Sequence, residues 1–70
     1  MVSHVIKVKV TGEQAPRILD AGEISVSELL RRLGLSKSEH IVLREGIPLT
    51  EDDVIRDGDE VVVYLVKSGG

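Results

Sequence analysis

Asp57-Gly58-Asp59-Glu60-Val61-Val62-Val63-Tyr64-Leu65-Val66 joins a tight-turn tripeptide to a run that is almost wholly apolar and β-branched. Such a run fits a central strand, covered on one face of a sheet and partly covered on the other. It is the longest nearly apolar stretch of the chain, and it falls far short of the roughly 20 residues a membrane-spanning helix needs. A central strand needs partners on both sides. His4-Val5-Ile6-Lys7-Val8-Lys9-Val10 supplies one, with Ile6, Val8 and Val10 on one face and Val5, Lys7 and Lys9 on the other. Thr11-Gly12 marks a turn, and Glu13 to Leu19 returns with weaker alternation. Pro16 has no backbone N–H to donate, so this return predicts an edge strand or an irregular segment. Ile41-Val42-Leu43-Arg44-Glu45 before Gly46 predicts a third strand, and Ile47-Pro48-Leu49 a short partner whose register the residues do not fix.

Between the hairpin and the third strand, Ser25-Val26-Ser27-Glu28 has the form of a capping box. The Ser25 hydroxyl is placed to accept from the third helical N–H, and Glu28 to reach back to the N–H of the cap. Val26, Leu29, Leu30 and Leu33 then recur at helical spacing, with Glu28, Arg31 and Arg32 elsewhere on the wheel. Gly34 stands where a left-handed C-cap is needed. One short amphipathic helix is predicted.

Composition narrows what such a chain does. Seventy residues, 41% apolar and 30% charged, hold one small globular domain. A domain of this size buries only about 60% of its unfolded surface, too little to build a deep enclosed substrate pocket. The absence of cysteine excludes disulfides, thiolate metal sites and a cysteine nucleophile. A net charge of -3, no Lys/Arg-rich run, and no Trp or Phe to stack on bases argue against a nucleic-acid partner. No N-terminal segment has the pattern of a signal peptide, so a cytoplasmic location is expected.

The order is therefore strand, strand, helix, strand or short strands, strand. If the first and last strands lie side by side in the centre, Ile6, Val8, Val10, Val61, Val63 and Leu65 pack against Val26, Leu29, Leu30 and Leu33. That is an α+β, β-grasp arrangement: a mixed four- to five-stranded sheet with one main helix on one face. Residues 1–66 are expected to form the domain, and 67–70 a flexible C-terminal tail ending in Gly-Gly. By the same alternation Val5, Val62, Tyr64 and Val66 lie on the opposite face beside Lys7 and Lys9, where partner contact is expected. Tyr64 is the only aromatic residue, and an amphipathic ring among aliphatic side chains suits an interface anchor as well as plain sheet packing.

This strand order, the Asp57-Gly58-Asp59-Glu60 lead into a hydrophobic last strand, and the ending Lys67-Ser68-Gly69-Gly70 resemble the ubiquitin-like sulfur carriers of prokaryotes over the whole chain. These include the thiamine-pathway carrier ThiS, the small molybdopterin synthase subunit MoaD and the archaeal ubiquitin-like modifiers. The resemblance implies a protein cosubstrate, not an enzyme. An activating enzyme would join the Gly70 carboxylate to AMP, and a sulfur donor would displace AMP to leave a thiocarboxylate for a downstream acceptor enzyme. Activation is chemically necessary because a carboxylate is a poor electrophile and an acyl-adenylate has a good leaving group. Gly69, lacking a Cβ, would let the tail thread a narrow channel. No Walker-type loop or Rossmann glycine pattern is present, so the chain is expected to bind no cofactor, with ATP and Mg²⁺ held by the activating partner. A monomer is expected when the chain is free.

Two other readings share these residues. Conjugation to a lysine amine uses the same adenylate with a different acceptor, and a noncovalent interaction module would use the sheet face alone. The resemblance leaves thiamine, molybdopterin and tRNA thiolation open, since carriers of all three share the diglycine end and the fold. Lys67-Ser68 differs from the apolar or Val-Thr endings of several pathway-specific carriers, which argues against assigning thiamine or molybdopterin. Glu51, Asp52, Asp53, Asp57, Asp59 and Glu60 crowd one segment, but a calcium loop centred on Gly58 would put Ile55 and Tyr64 where oxygen ligands are required. A solvated loop, or a surface that meets a basic partner, fits better. His4 and His40 lie in different segments without a second ligand at metal spacing.

Overall fold

A computed structural model of the chain describes residues 4–66. The expected tail, Lys67 to Gly70, lies outside them. Eight elements follow in order: β1 (Ile6–Val10), β2 (Arg17–Leu19), β3 (Glu23–Ser25), α1 (Val26–Leu33), β4 (His40–Arg44), β5 (Ile47–Leu49), β6 (Val54–Arg56) and β7 (Glu60–Leu65). Five strands form one mixed sheet in the order β2-β1-β7-β4-β5, with β1 and β7 parallel at its centre. This is the expected β-grasp. Strict alternation along β1 buries Ile6, Val8 and Val10 and leaves Lys7 and Lys9 outside. A one-residue slip would exchange the two sets, so burial fixes the register.

The core joins Ile6, Val8, Val10, Val42, Val61 and Val63 of the sheet to Val26, Leu29 and Leu30 of the helix. Leu33 is only partly buried beside them. Leu65 was expected in this core and is not there: it is 56% exposed. The parallel ladder ends at Val10 opposite Val63, so Leu65 lies past the end of β1.

The start of α1 is held as expected on one side of the capping box and differently on the other. Ser25 Oγ accepts from the Glu28 N–H at 3.1 Å, but the Glu28 carboxylate turns to Arg31 and Arg32 at 3.3 and 3.4 Å. Backbone carbonyls complete the cap: Asp53 O accepts from Val26 N–H at 3.0 Å and Glu51 O from Ser27 N–H at 3.2 Å. Ser25→Ala should cost about 1 kcal/mol, lowering the thermal midpoint by roughly 4–8 °C for a domain of this size. An unchanged midpoint would mean that the loop carbonyls hold the helix start unaided. The helix ends at Gly34, whose φ of 74° is the left-handed conformation a Cβ would disfavour.

Two strands were not expected. β3 and β6 pair antiparallel as a separate ladder, and each contributes one buried isoleucine, Ile24 and Ile55, to the core. β4 ends one residue earlier than predicted, because Glu45 and Gly46 take positive φ values of 55° and 79° in a two-residue turn. That turn sets the open register of β5, pairing Arg44 with Ile47 and Leu43 with Pro48. Prolines mark both edges, Pro16 just before β2 and Pro48 within β5. Arg17 ties the β2 edge to the helix end: it donates to both Glu13 oxygens at 3.0 and 2.6 Å and to Leu33 O at 3.2 Å. Those hydrogen bonds hold the Glu13 carboxyl below its ordinary range.

Three of the clustered acids shape turns. Asp53 accepts from Thr50 N–H at 2.7 Å, and Asp57 from Val5 N–H at 2.7 Å with His4 Nδ1 at 3.4 Å. Asp59 accepts from Arg56 N–H at 2.9 Å and from Arg44 Nη1 at 3.0 Å, and the same Arg44 nitrogen donates to Val54 O. Among the described residues no three His, Asp or Glu side chains gather as a metal would require.

Candidate functional site

The sheet face away from α1 follows from the registers. Pro48, Leu43, Val62 and Lys9 form one transverse row across β5, β4, β7 and β1. Ile41 and Tyr64 pair in a second row one step closer to the end of β7. Glu60, Lys7 and Ile18 form a third row on the opposite side. Successive rows are two residues apart along a strand, or about 7 Å. The result is an apolar centre, Val62, Leu43, Pro48, Ile41 and Tyr64, bordered by lysines where β1 runs. Lys7 and Lys9 also line a shallow groove of about 280 Å³ with Pro16 and Glu60.

Of the side chains expected on this face, Lys9, Val62 and Tyr64 come together, with Lys7 one row away. Val66 continues past Tyr64, its N–H donating to Glu39 O at 2.7 Å. Val5 is held at the other end, where its carbonyl accepts from Gly58 N–H at 2.8 Å. Six residue steps along the chain from Gly58 to Tyr64 separate it from the ring, up to about 20 Å. Ile41, Leu43 and Pro48 were missed as members of the face. Their signal was present in Ile41-Val42-Leu43: with Val42 turned into the core, its two apolar neighbours must lie outside. Tyr64 is 44% exposed and Ile41 also open, so large apolar side chains are available for contact.

Gly69 and Gly70 lie outside the described residues. β7, the strand that leads to them, is paired on both flanks up to Val63 and on its β4 side through Val66. No described helix is long and apolar enough to cross a membrane.

The family model of small archaeal modifier protein 2 matches residues 5–66. The chain belongs to this family. An uncharacterized protein of Archaeoglobus fulgidus is 35% identical to this modifier-family chain over 66 residues, 93% of this chain and 97% of that one. Among solved structures, a Caldiarchaeum subterraneum ubiquitin matches with a TM-score of 0.69 at 20% identity, covering 99% of this chain and 100% of its own. A designed protein based on the template of human erythrocytic ubiquitin gives 0.68 at 22% identity, covering 96% of each chain. At those identities the likeness is one of fold. The modifier family and the ubiquitin-like fold agree with each other.

Proposed function

We propose that this modifier-family chain is a protein cosubstrate whose Gly70 carboxylate is activated by a partner enzyme and then carries sulfur. A carboxylate oxygen of Gly70 attacks the α-phosphorus of ATP, pyrophosphate leaves, and an acyl-adenylate forms. Hydrosulfide attacks the carbonyl carbon, AMP leaves, a proton is released, and a thiocarboxylate remains. ATP and Mg²⁺ belong to the activating enzyme, and the thiocarboxylate passes to an acceptor enzyme in cofactor synthesis or tRNA thiolation. The reading implies a cytoplasmic carrier that is monomeric when free. The observation that supports it is the ubiquitin-like fold whose central strand leads directly into Lys67-Ser68-Gly69-Gly70. Gly69 serves to thread the tail, and the outer sheet face serves to dock.

The family description, a modifier, favours a second reading in which a lysine amine attacks the same adenylate and an isopeptide bond forms. One experiment separates the two. Intact mass spectrometry follows the chain with the activating enzyme of its own organism, Mg-ATP and sulfide, with fragmentation to locate any change. Exchange of one oxygen for sulfur at Gly70 supports the carrier, and higher-mass conjugates support the modifier. No change with an enzyme active on another carrier leaves noncovalent binding. The untreated spectrum also reads whether Gly70 bears the free carboxyl group that both reactions require.

Docking makes its own prediction. Tyr64→Ala should weaken binding to the activating enzyme about 30-fold, the loss expected of an interface anchor worth about 2 kcal/mol. Calorimetric titration reads the affinity, and an unchanged Kd would remove Tyr64 from the interface.

A further inference from the structure

β7 outruns β1. The parallel ladder ends at Val10 opposite Val63, and Thr11 closes it by donating both its N–H and its Oγ1 hydroxyl to Val63 O, at 3.0 and 3.2 Å. Gly12 then takes a φ of 92°, and Glu13 N–H donates to Val10 O at 3.0 Å as the chain turns back. On the other flank the ladder continues, with His40 opposite Leu65 and Val66 N–H on Glu39 O. Main-chain groups alternate sides along a strand. Val66 N–H is directed at β4 and Val63 C=O at β1, so the N–H and C=O of Leu65 are directed into the place β1 has vacated. Among the described residues neither group has a hydrogen-bond partner. The side chains of β7 and its continuation beside this gap, Tyr64, Leu65 and Val66, are apolar and exposed.

We infer that an extended segment of the activating enzyme fills this gap, continuing the line of β1 and pairing with the N–H and C=O of Leu65. An open edge with apolar neighbours is matched by a strand that supplies one acceptor, one donor and an aliphatic side chain against Leu65. The outer edges of the sheet are marked by Pro16 and Pro48, whereas the gap beside Leu65 contains no proline. The inference rests on the adenylation reading and adds how the tail is delivered. Pairing at Leu65 would fix the chain direction five residues before Gly70, so the reacting carboxylate would lie within about 17 Å of the pairing segment.

Leu65→Pro removes the N–H, and Leu65→Ala removes only the side chain. Neither change breaks a hydrogen bond recorded among the described residues. Conversion of Gly70 at limiting enzyme, read by intact mass, should slow about tenfold or more for Leu65→Pro, as expected for one lost hydrogen bond at an interface, and less for Leu65→Ala. In the wild-type complex the Leu65 amide should exchange with deuterium more slowly than in the free chain. That second measurement decides the matter if the proline variant does not fold. Conversion of a folded Leu65→Pro at the wild-type rate, or an unprotected Leu65 amide in a complex that converts Gly70, overturns the strand-pairing inference alone. Failure to convert the wild type overturns the adenylation reading and this inference with it.

Discussion

A chain lacking Gly69 and Gly70 is expected to melt at the wild-type temperature and to acquire no sulfur. The core is drawn from Ile6 to Val63, so the deletion removes none of the side chains that hold the fold. The proposed chemistry would depend on where the last carboxylate stops. Two residues span up to about 7 Å of chain, so their removal would withdraw it by as much from the position proposed for the ATP α-phosphorus. Misplacement of reacting atoms by as little as 1 Å can cost about a hundredfold in rate, so the expected result is complete loss. Gly69→Ala should fold equally well and load more slowly, because an added Cβ would narrow the fit of the tail in the channel proposed for it. Intact mass and a thermal melt on the same sample read both halves of the prediction. Undiminished loading of the truncated chain would remove Gly70 from the mechanism.

The second large effect concerns stability. Ile55 is fully buried although it belongs to a three-residue strand in the most acidic part of the chain. Ile55→Ala should cost about 2–5 kcal/mol, the lost transfer energy plus the cavity left behind. At about 0.05–0.15 kcal/mol per residue, a domain of this length has roughly 4–10 kcal/mol in total. The variant is therefore expected to lose about half of its stability, with a far lower urea midpoint. Its neighbour Val54 is half-open, and Val54→Ala should shift the midpoint little. Equal midpoints for the two variants would show that the β3–β6 ladder does not brace the core.

The same residue shows why part of the fold was readable from sequence and part was not. β1 and β7 are long enough for alternation or β-branching to identify them, and the helix carries its own start and stop signals in Ser25 and Gly34. Val54-Ile55-Arg56 and Glu23-Ile24-Ser25 are too short for a period to register. They become strands only because the sheet and helix bring them side by side, and such long-range pairing leaves no local trace. Leu65 failed for a related reason. Alternation states which face a side chain takes, but whether anything covers that face depends on where the neighbouring strand stops. On the outer face the apolar centre was half legible. Val62 and Tyr64 followed from the last strand and Leu43 from alternation about Val42, whereas Pro48 joins them only through the register set by the turn at Glu45-Gly46. The acids at 53, 57 and 59 could be counted from sequence, but their work as turn acceptors depends on backbone geometry.

The parallel pairing of β1 with β7 also orders events during synthesis. β7 is the last strand to leave the ribosome, and both β1 and β4 must wait for it before the central ladder can close. Contacts between segments so far apart in sequence form late, because closing the intervening loop costs entropy that local contacts do not repay. A nascent chain interrupted before Glu60 has no central strand and so cannot complete the platform. Under the proposed docking, folding would act as proofreading: an activating enzyme that recognises the assembled sheet face would encounter only chains whose translation has already run through the strand leading to Gly69 and Gly70.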